Sequence, residues 1–220
     1  AFGEELAARG IIQIDLASAR PVEFYLEHAP YIWNTLQAPD QTVLHVSEYV
    51  AKRLAGRPAA HAGDPDLSSR ERVFGRFYLA NDEETRDLAA RGEQTMREAG
   101  VEFAASVAYT DPVALQTSAA QEIAKMKEAG VTTVLFTGDP LAPGPLTQEA
   151  TAQRFFPEWI ITGSALTDST TFARTYDQQQ WAHAFGVPSL PAPVPQDQGE
   201  AWRLHKWFSR TDPKAKKQEG

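Results

Sequence analysis

The chain has no cysteine, which excludes disulfides and cysteine-based zinc sites and leaves the redox compartment open. No apolar run approaches the roughly 20 residues that a membrane-spanning helix needs. Neither GxGxxG nor GxxxxGK[ST] occurs, so the two commonest glycine-rich phosphate cradles are missing. The nearest stretch, residues 137–144 (TGDPLAPG), carries prolines that cannot donate a backbone hydrogen bond and an aspartate that would repel phosphate. It reads as a tight strand-to-helix turn. The five histidines, His28, His45, His61, His183 and His205, form no HExxH or other close metal pair. Positive charge is in the minority: 21 Lys and Arg against 29 Asp and Glu give a net charge of −8. Phosphate backbones require a basic surface, so nucleic acid is excluded as the main partner. Hydrophobic content of 42% with 23% charged residues fits a globular chain of about one large domain.

What the sequence does have is a strand–helix rhythm. Four short apolar runs, VFGRFYLA (73–80), VEFAASVAY (101–109), VTTVLFTG (131–138) and WIITGS (159–164), alternate with stretches of helical periodicity. Strands joined by helix-length crossovers imply a parallel sheet with helices on both faces, a doubly wound α/β architecture. The first intervening helix, from Glu83, puts Leu88, Gly92, Met96 and Ala99 on one side. The second opens on Asp111-Pro112, a cap followed by proline at the first helical position, and aligns Leu115, Ala119, Ile123 and Met126. A third, shorter helix is expected from Pro145 to Phe155. Before the repeat, Asp40 is expected to cap a helix whose stripe is Val43, Val46, Val50 and Leu54.

Outside that core, residues 11–15 are expected to form a further strand. Residues 16–39, with prolines at 21, 30 and 39, are expected to be irregular, and 57–72 to be a polar surface connector. A short helix over 168–176, a strand near 185–187, and an amphipathic helix over 198–208 carrying Trp202 and Trp207 follow. The proline-rich stretch 190–195 is expected to lack regular structure, and the tail from 212 to fray. The opening AFGEELAARG lacks the pattern of a signal peptide and reads as the end of a helix, as expected of a fragment of a longer protein.

Ligands of open parallel sheets bind beyond the carboxyl ends of the strands, so the candidate site residues come from the segments that follow them. Asn81 and Asp82 follow the first run, Asp139 the third, and Ser164 and Thr167 the fourth. Glu83 and Glu84, in a first helical turn, complement the helix dipole. Asp139 suits an Asx turn as well as a ligand contact. Gly163-Ser164-Ala165 lacks the second glycine of a nucleophile elbow. No catalytic set and no cofactor or metal site emerges from these residues.

The ordered succession APYIWNTLQAPDQTVLHVSEYVAKRLAG, RVFGRFYLANDEETRDLAARGEQTMREAGVEF, TDPVALQTSAAQEIAKMKEAGVTTVLFTGDP and PEWIITGSAL resembles the solute-binding proteins of ABC transporters for branched-chain amino acids and amides. These have the type I periplasmic-binding-protein fold, and the resemblance spans most of residues 30–166. It implies an extracytoplasmic, non-catalytic protein, periplasmic or a cell-surface lipoprotein, whose two lobes close on a small solute at a hinge and deliver it to a membrane permease. By the same resemblance, residues 1–39 are the remnant of an N-terminal lobe and hinge. Residues 40–190 are the ligand-binding lobe, and 191–220 a C-terminal proline-rich segment, helix and tail. The turns 81–85 and 137–140 and the segment 164–167 correspond to ligand-facing segments. Glu84-Thr85 stand where the family often has an aromatic followed by glycine, a departure that points away from an ordinary leucine-like ligand. Asn81, Asp82, Asp139, Ser164 and Thr167 are the expected polar contacts and Trp33 an aromatic wall. Two other classes stay open on the residues alone: a metabolite-sensing regulatory domain and an enzyme on the same kind of sheet.

Overall fold

The computed structural model describes residues 2–15, 20–163, 166–188 and 194–210. The chain divides into two compact units, residues 1–189 and 190–220.

The first unit is built on five strands: β3 (Phe74–Leu79), β4 (Phe103–Tyr109), β5 (Thr133–Thr137), β6 (Glu158–Ile161) and β7 (Ala184–Gly186). All neighbouring pairs are parallel, in the order β4-β3-β5-β6-β7. The helices α5 (Glu83–Glu98), α6 (Pro112–Glu128) and α7 (Pro143–Ala152) connect the first four of them. From β3 the chain steps outward to β4, then returns past β3 to β5. Right-handed crossovers in opposite directions must place their helices on opposite faces, and they do. Phe77, Val134, Phe136 and Trp159 pack with α6 and α7, whereas Phe74, Leu135 and Ile160 pack with Met96 of α5. Successive residues of a strand alternate between these two cores, as the two-residue period of a pleated strand requires. The edge strand β4 is the exception, exposing Ala104, Ser106 and Ala108.

The second core is completed by α3 (Pro39–Tyr49), which continues as a π-helical turn over Val50–Leu54. Val46, Val50 and Leu54 are buried there. On α6 the stripe Leu115, Ala119, Ile123 and Met126 is buried throughout. Of the stripe expected on α5, Ala99 is the C-cap and is exposed.

Several local expectations change in the tertiary context. Asp40 does not cap α3; Ala38 stands at the N-cap, and the Asp40 carboxylate accepts the Val22 N–H at 3.2 Å. The region expected to be irregular holds α2 (Val22–Glu27) and β2 (Ile32–Asn34), and β2 pairs in parallel with β1 (Gln13–Asp15) in a separate two-stranded sheet. The helix expected from Pro145 begins two residues earlier, with Pro143 in its first turn. The connector 57–72 is more than a surface loop: it contains α4 (Pro65–Ser68), a bridge between Pro58 and Glu71, and the fully buried Ala59. Two short helices, α8 (Thr170–Ala173) and α9 (Gln178–Trp181), precede β7. Most of the proline-rich stretch 190–195 and the tail from 212 lie outside the described residues. In the second unit, α10 (Glu200–Ser209) is amphipathic and leaves Leu204, Trp207 and Phe208 exposed. Among the described residues no helix is long and apolar enough to cross a membrane.

Candidate functional site

The strand order reverses between β3 and β5, which makes the carboxyl edge of these two strands the topological switch point where open α/β sheets bind ligands. A cavity of about 450 Å³ opens there. Its floor is the sheet face that carries Arg76 and Tyr78 of β3 with Leu135 and Thr137 of β5, which lie side by side in register. Its roof is α3 and α5. Thr137, Gly138, Thr162 and Gly163, at the carboxyl ends of β5 and β6, line its mouth.

Arg76 is the charged residue at the floor. Its side chain is nearly fully buried and every arm of the guanidinium is engaged. Nε donates to Ser106 Oγ at 2.7 Å, Nη1 to the Ala89 carbonyl at 2.9 Å, and Nη2 to Glu93. The cation also lies over the Tyr78 ring, 4.2 Å from its centroid, and 5.0 Å from that of Phe103, a placement favoured by the ring quadrupole. Burial pulls its pKa below the ordinary arginine value, and the Glu93 carboxylate opposes that shift. The cavity floor is thus a neutralised ion pair faced with aromatic rings. Sequence reading passed over Arg76 because it sat inside an apolar run. A lone cation flanked at i−2 and i+2 by aromatics on a buried strand was the available signal.

Beside the mouth, Asp139 follows β5. Its Oδ1 accepts from the Leu141 N–H at 2.7 Å and the Ala142 N–H at 3.1 Å, and its Oδ2 from the Tyr109 hydroxyl at 2.6 Å. The Asp139 N–H donates in turn to the Tyr109 oxygen at 3.0 Å. Gly138 permits this approach, because a Cβ there would collide with the Tyr109 hydroxyl. Tyr176 donates from its hydroxyl to the Pro140 carbonyl at 2.7 Å. Burial raises the pKa of both phenols. For Tyr109 the hydrogen bond to Asp139 adds to it, and for Tyr176 the negative charges of Asp139 and Asp168 do.

These shifts set an alkaline limit. A raised folded-state pKa keeps the proton on the native tyrosine while the unfolded chain loses its own near pH ~10. Stability is therefore fully present below that pH and is lost as pH rises through it toward the folded value, by up to about 1.4 kcal/mol per pH unit for each phenol. Urea unfolding between pH 8 and 11.5 should show this decline, and it should be much shallower when Tyr109 and Tyr176 are both phenylalanine.

Of the residues expected at the site, Asn81 and Asp82 stand together at the start of α5. Asp82 caps the helix, accepting the Thr85 N–H at 2.8 Å, and the Thr85 hydroxyl lies 3.1 Å from Asn81 Oδ1. Hydrogen bonds from the Thr85 backbone and side chain hold the Asp82 carboxyl below the usual range. Thr167 is fully buried, and among the described residues its hydroxyl meets no hydrogen-bond partner. Trp33 lies on β2 in the separate sheet, half exposed, with its indole N–H donated to the Pro30 carbonyl at 2.8 Å. Ser164 lies outside the described residues. None of the five described candidates lines the cavity; the chain neighbours Gly138 and Gly163, and Thr85 three residues beyond Asp82, do. Among the described residues no group of three or more His, Asp or Glu could hold a metal ion.

No protein-family model and no curated protein matches the sequence. Solved structures do match its fold. A protein of the Pseudomonas fluorescens group, described as an ABC transporter permease, aligns with a TM-score of 0.63 at 16% identity, over 97% of this chain and 48% of its own. An ABC transporter substrate-binding protein from Desulfitobacterium hafniense aligns with a TM-score of 0.55 at 12% identity, over 96% and 54%. This chain has the fold of the ABC-transporter solute-binding proteins. A solute-binding protein from Rhodopseudomonas palustris, solved with 4-hydroxybenzoate, aligns with a TM-score of 0.50 at 13% identity, over 73% of this chain and 39% of its own. The chain thus spans about half, or less, of the length of these three proteins.

Proposed function

We propose that this chain is the non-catalytic binding lobe of a solute-binding protein. Its solute is small, amino-acid-like or a simple carboxylate or amide, and is held in a cleft between two lobes outside the cytoplasm for delivery to an ABC transporter. The observation that carries this reading is the cavity at the β3/β5 switch point, in a fold whose neighbours are solute-binding proteins. The R. palustris neighbour holds an aromatic carboxylate, which supports the solute class. Closure of the second lobe over the carboxyl edge would trap the solute and shift an open–closed equilibrium.

In this reading residues 40–190 form the lobe, residues 1–39 lead into it from the hinge, and 191–220 follow it. Asn81, Asp82, Asp139, Ser164 and Thr167 supply polar contacts and Trp33 an aromatic wall. Asp139 is already braced by Tyr109, so it would meet the solute as a fixed acceptor.

The test is a thermal-shift screen of the chain against amino acids, amides, small carboxylates, aromatic acids and nucleotides. Preferential binding to the native state raises stability with concentration, by about 2.7 kcal/mol at a hundredfold excess over Kd. A graded rise with an amino acid, carboxylate or amide is expected. A response confined to nucleotides would overturn the reading.

A further inference from the structure

The cavity extends well below the rim at which a solute would be trapped. α3 begins at the carboxyl edge and its π-helical continuation ends near the amino ends of the strands: Pro39 lines the cavity, while Leu54 packs with Phe74 and its carbonyl accepts from Arg72 Nη1 at 3.2 Å. Ser47, eight residues after Pro39, lies about 12 Å further along the helix axis. The walls at that depth are apolar, built from Val43 and Val46 of α3 and Leu88 and Met96 of α5. The small residues Ala89 and Gly92 of α5 line the space as well. A Cβ on Gly92 would only just touch Val43, at 3.5 Å, so the roof is closed there and the space lies beneath it.

One polar group in this lining stands out. Ser47 is 2% exposed and, among the described residues, its hydroxyl has no hydrogen-bond partner. Buried hydroxyls are normally paired, and each exception calls for an explanation. A water molecule is a poor one here, because it needs two to four polar partners. Nor does the cavity offer charge to a buried carboxylate, since the Arg76 guanidinium is already matched by Glu93.

We propose that this inner space binds the apolar chain or ring of a small molecule, with one hydroxyl at its buried end hydrogen-bonded to Ser47. The solute of this protein then belongs to a narrower class than small polar amino acids: an elongated, largely apolar compound with a polar group at each end, one for Ser47 and one for the rim. The inference rests on the solute-binding reading for what the pocket serves, but not for its occupancy.

The probes are 1-butanol, 1-hexanol, 1-octanol and toluene, titrated into the whole chain by calorimetry. Affinity should rise about fourfold per added methylene along the alcohols, the value for burying a CH₂ group. Ser47→Ala should fold as the parent does, weaken 1-octanol about fivefold, as expected for one hydrogen bond, and leave toluene unchanged. Ala89→Leu, which occupies the space, should abolish binding of both. If that variant fails to fold, the alcohol series and Ser47→Ala decide the matter alone. Equal affinity for butanol and octanol, or an octanol affinity indifferent to Ser47, would overturn the proposal. Amino or carboxylic acids that stabilise the chain while alkanols do not bind would remove the inner pocket and leave the solute-binding reading standing. Alkanol binding without any response to acids, amides or amino acids would do the reverse.

Discussion

Replacing Glu158 with leucine should cost about 3–5 kcal/mol of folding stability, the range for removing one partner of a buried ion pair. The Glu158 side chain is fully buried and that of Arg72 is 4% exposed. The carboxylate accepts four hydrogen bonds. Arg72 Nε and Nη2 donate to it at 2.8 and 2.9 Å, and the His61 N–H and the Thr133 hydroxyl each at 2.8 Å. These bonds fasten the 57–72 connector to the amino ends of β5 and β6. Removing the carboxylate strands the guanidinium in a site that water cannot reach, and that uncompensated charge dominates the loss. The pair as a whole is worth much less, because burying both ions also costs solvation. Arg72→Met combined with Glu158→Leu should therefore recover a large part of what either single change loses. Urea unfolding of the four proteins of this cycle measures the coupling. A cost for the single variants under 1 kcal/mol would show that the connector is not held this way. Against a typical total stability of about 5–15 kcal/mol, the expected loss would also expose the connector to trypsin at Arg70 and Arg72.

Trp159→Ala should be comparably damaging, about 3–5 kcal/mol for a buried tryptophan. The ring is fully buried on the α6–α7 face of β6. Its indole N–H donates to Gln180 Oε1 at 3.0 Å, and Gln180 Nε2 continues to the Phe155 carbonyl at 2.9 Å and the Thr151 hydroxyl at 3.2 Å. One side chain thus joins β6, the end of α7 and α9. The alanine variant opens a cavity and also leaves the buried Gln180 oxygen without a donor, so the two losses reinforce each other. Trp159→Phe separates them: it keeps most of the apolar area and should cost markedly less than the alanine variant. Because β6 leads directly into Thr162 and Gly163 at the cavity mouth, the alanine variant should also weaken any ligand held at the carboxyl edge. Equal stability of the alanine and phenylalanine variants would mean that the ring's volume contributes little.

Both of these anchors lie in stretches whose partners are distant in sequence, and this is where reading the chain as a string falls short. VFGRFYLA announces a buried strand by composition alone, and its neighbours on the same rhythm do likewise. Nothing local to Arg72 or Glu158 says that they meet across 86 residues. The connector between residues 57 and 72 looks like solvent-facing loop because it is polar, yet its polarity serves a buried carboxylate. Asp40 has the residue type and position of a cap, but the competing Val22 N–H takes its side chain. The short strand β2 was invisible for a similar reason: three residues carry too little periodicity, and only pairing with β1 makes them a strand.

The candidate site divides along the same line. Its location at the carboxyl edge followed from the alternation of strands and helices, since right-handed crossovers leave few other arrangements. The turns after β3, β5 and β6 could be named before any coordinates. The inner cavity could not be. It depends on where α3 lies over the sheet, on the small Ala89 and Gly92 lining it, and on Ser47, whose buried hydroxyl has no partner among the described residues.

Periodic burial is a local property, written in each segment by the spacing of its apolar residues. The α/β class, the parallel sheet, the inner stripe of α6 and the edge at which a ligand would bind are therefore legible along the chain. Which polar groups become paired, and which stay alone beside empty space, depends on distances between segments far apart along the chain. That was decided by the tertiary structure alone.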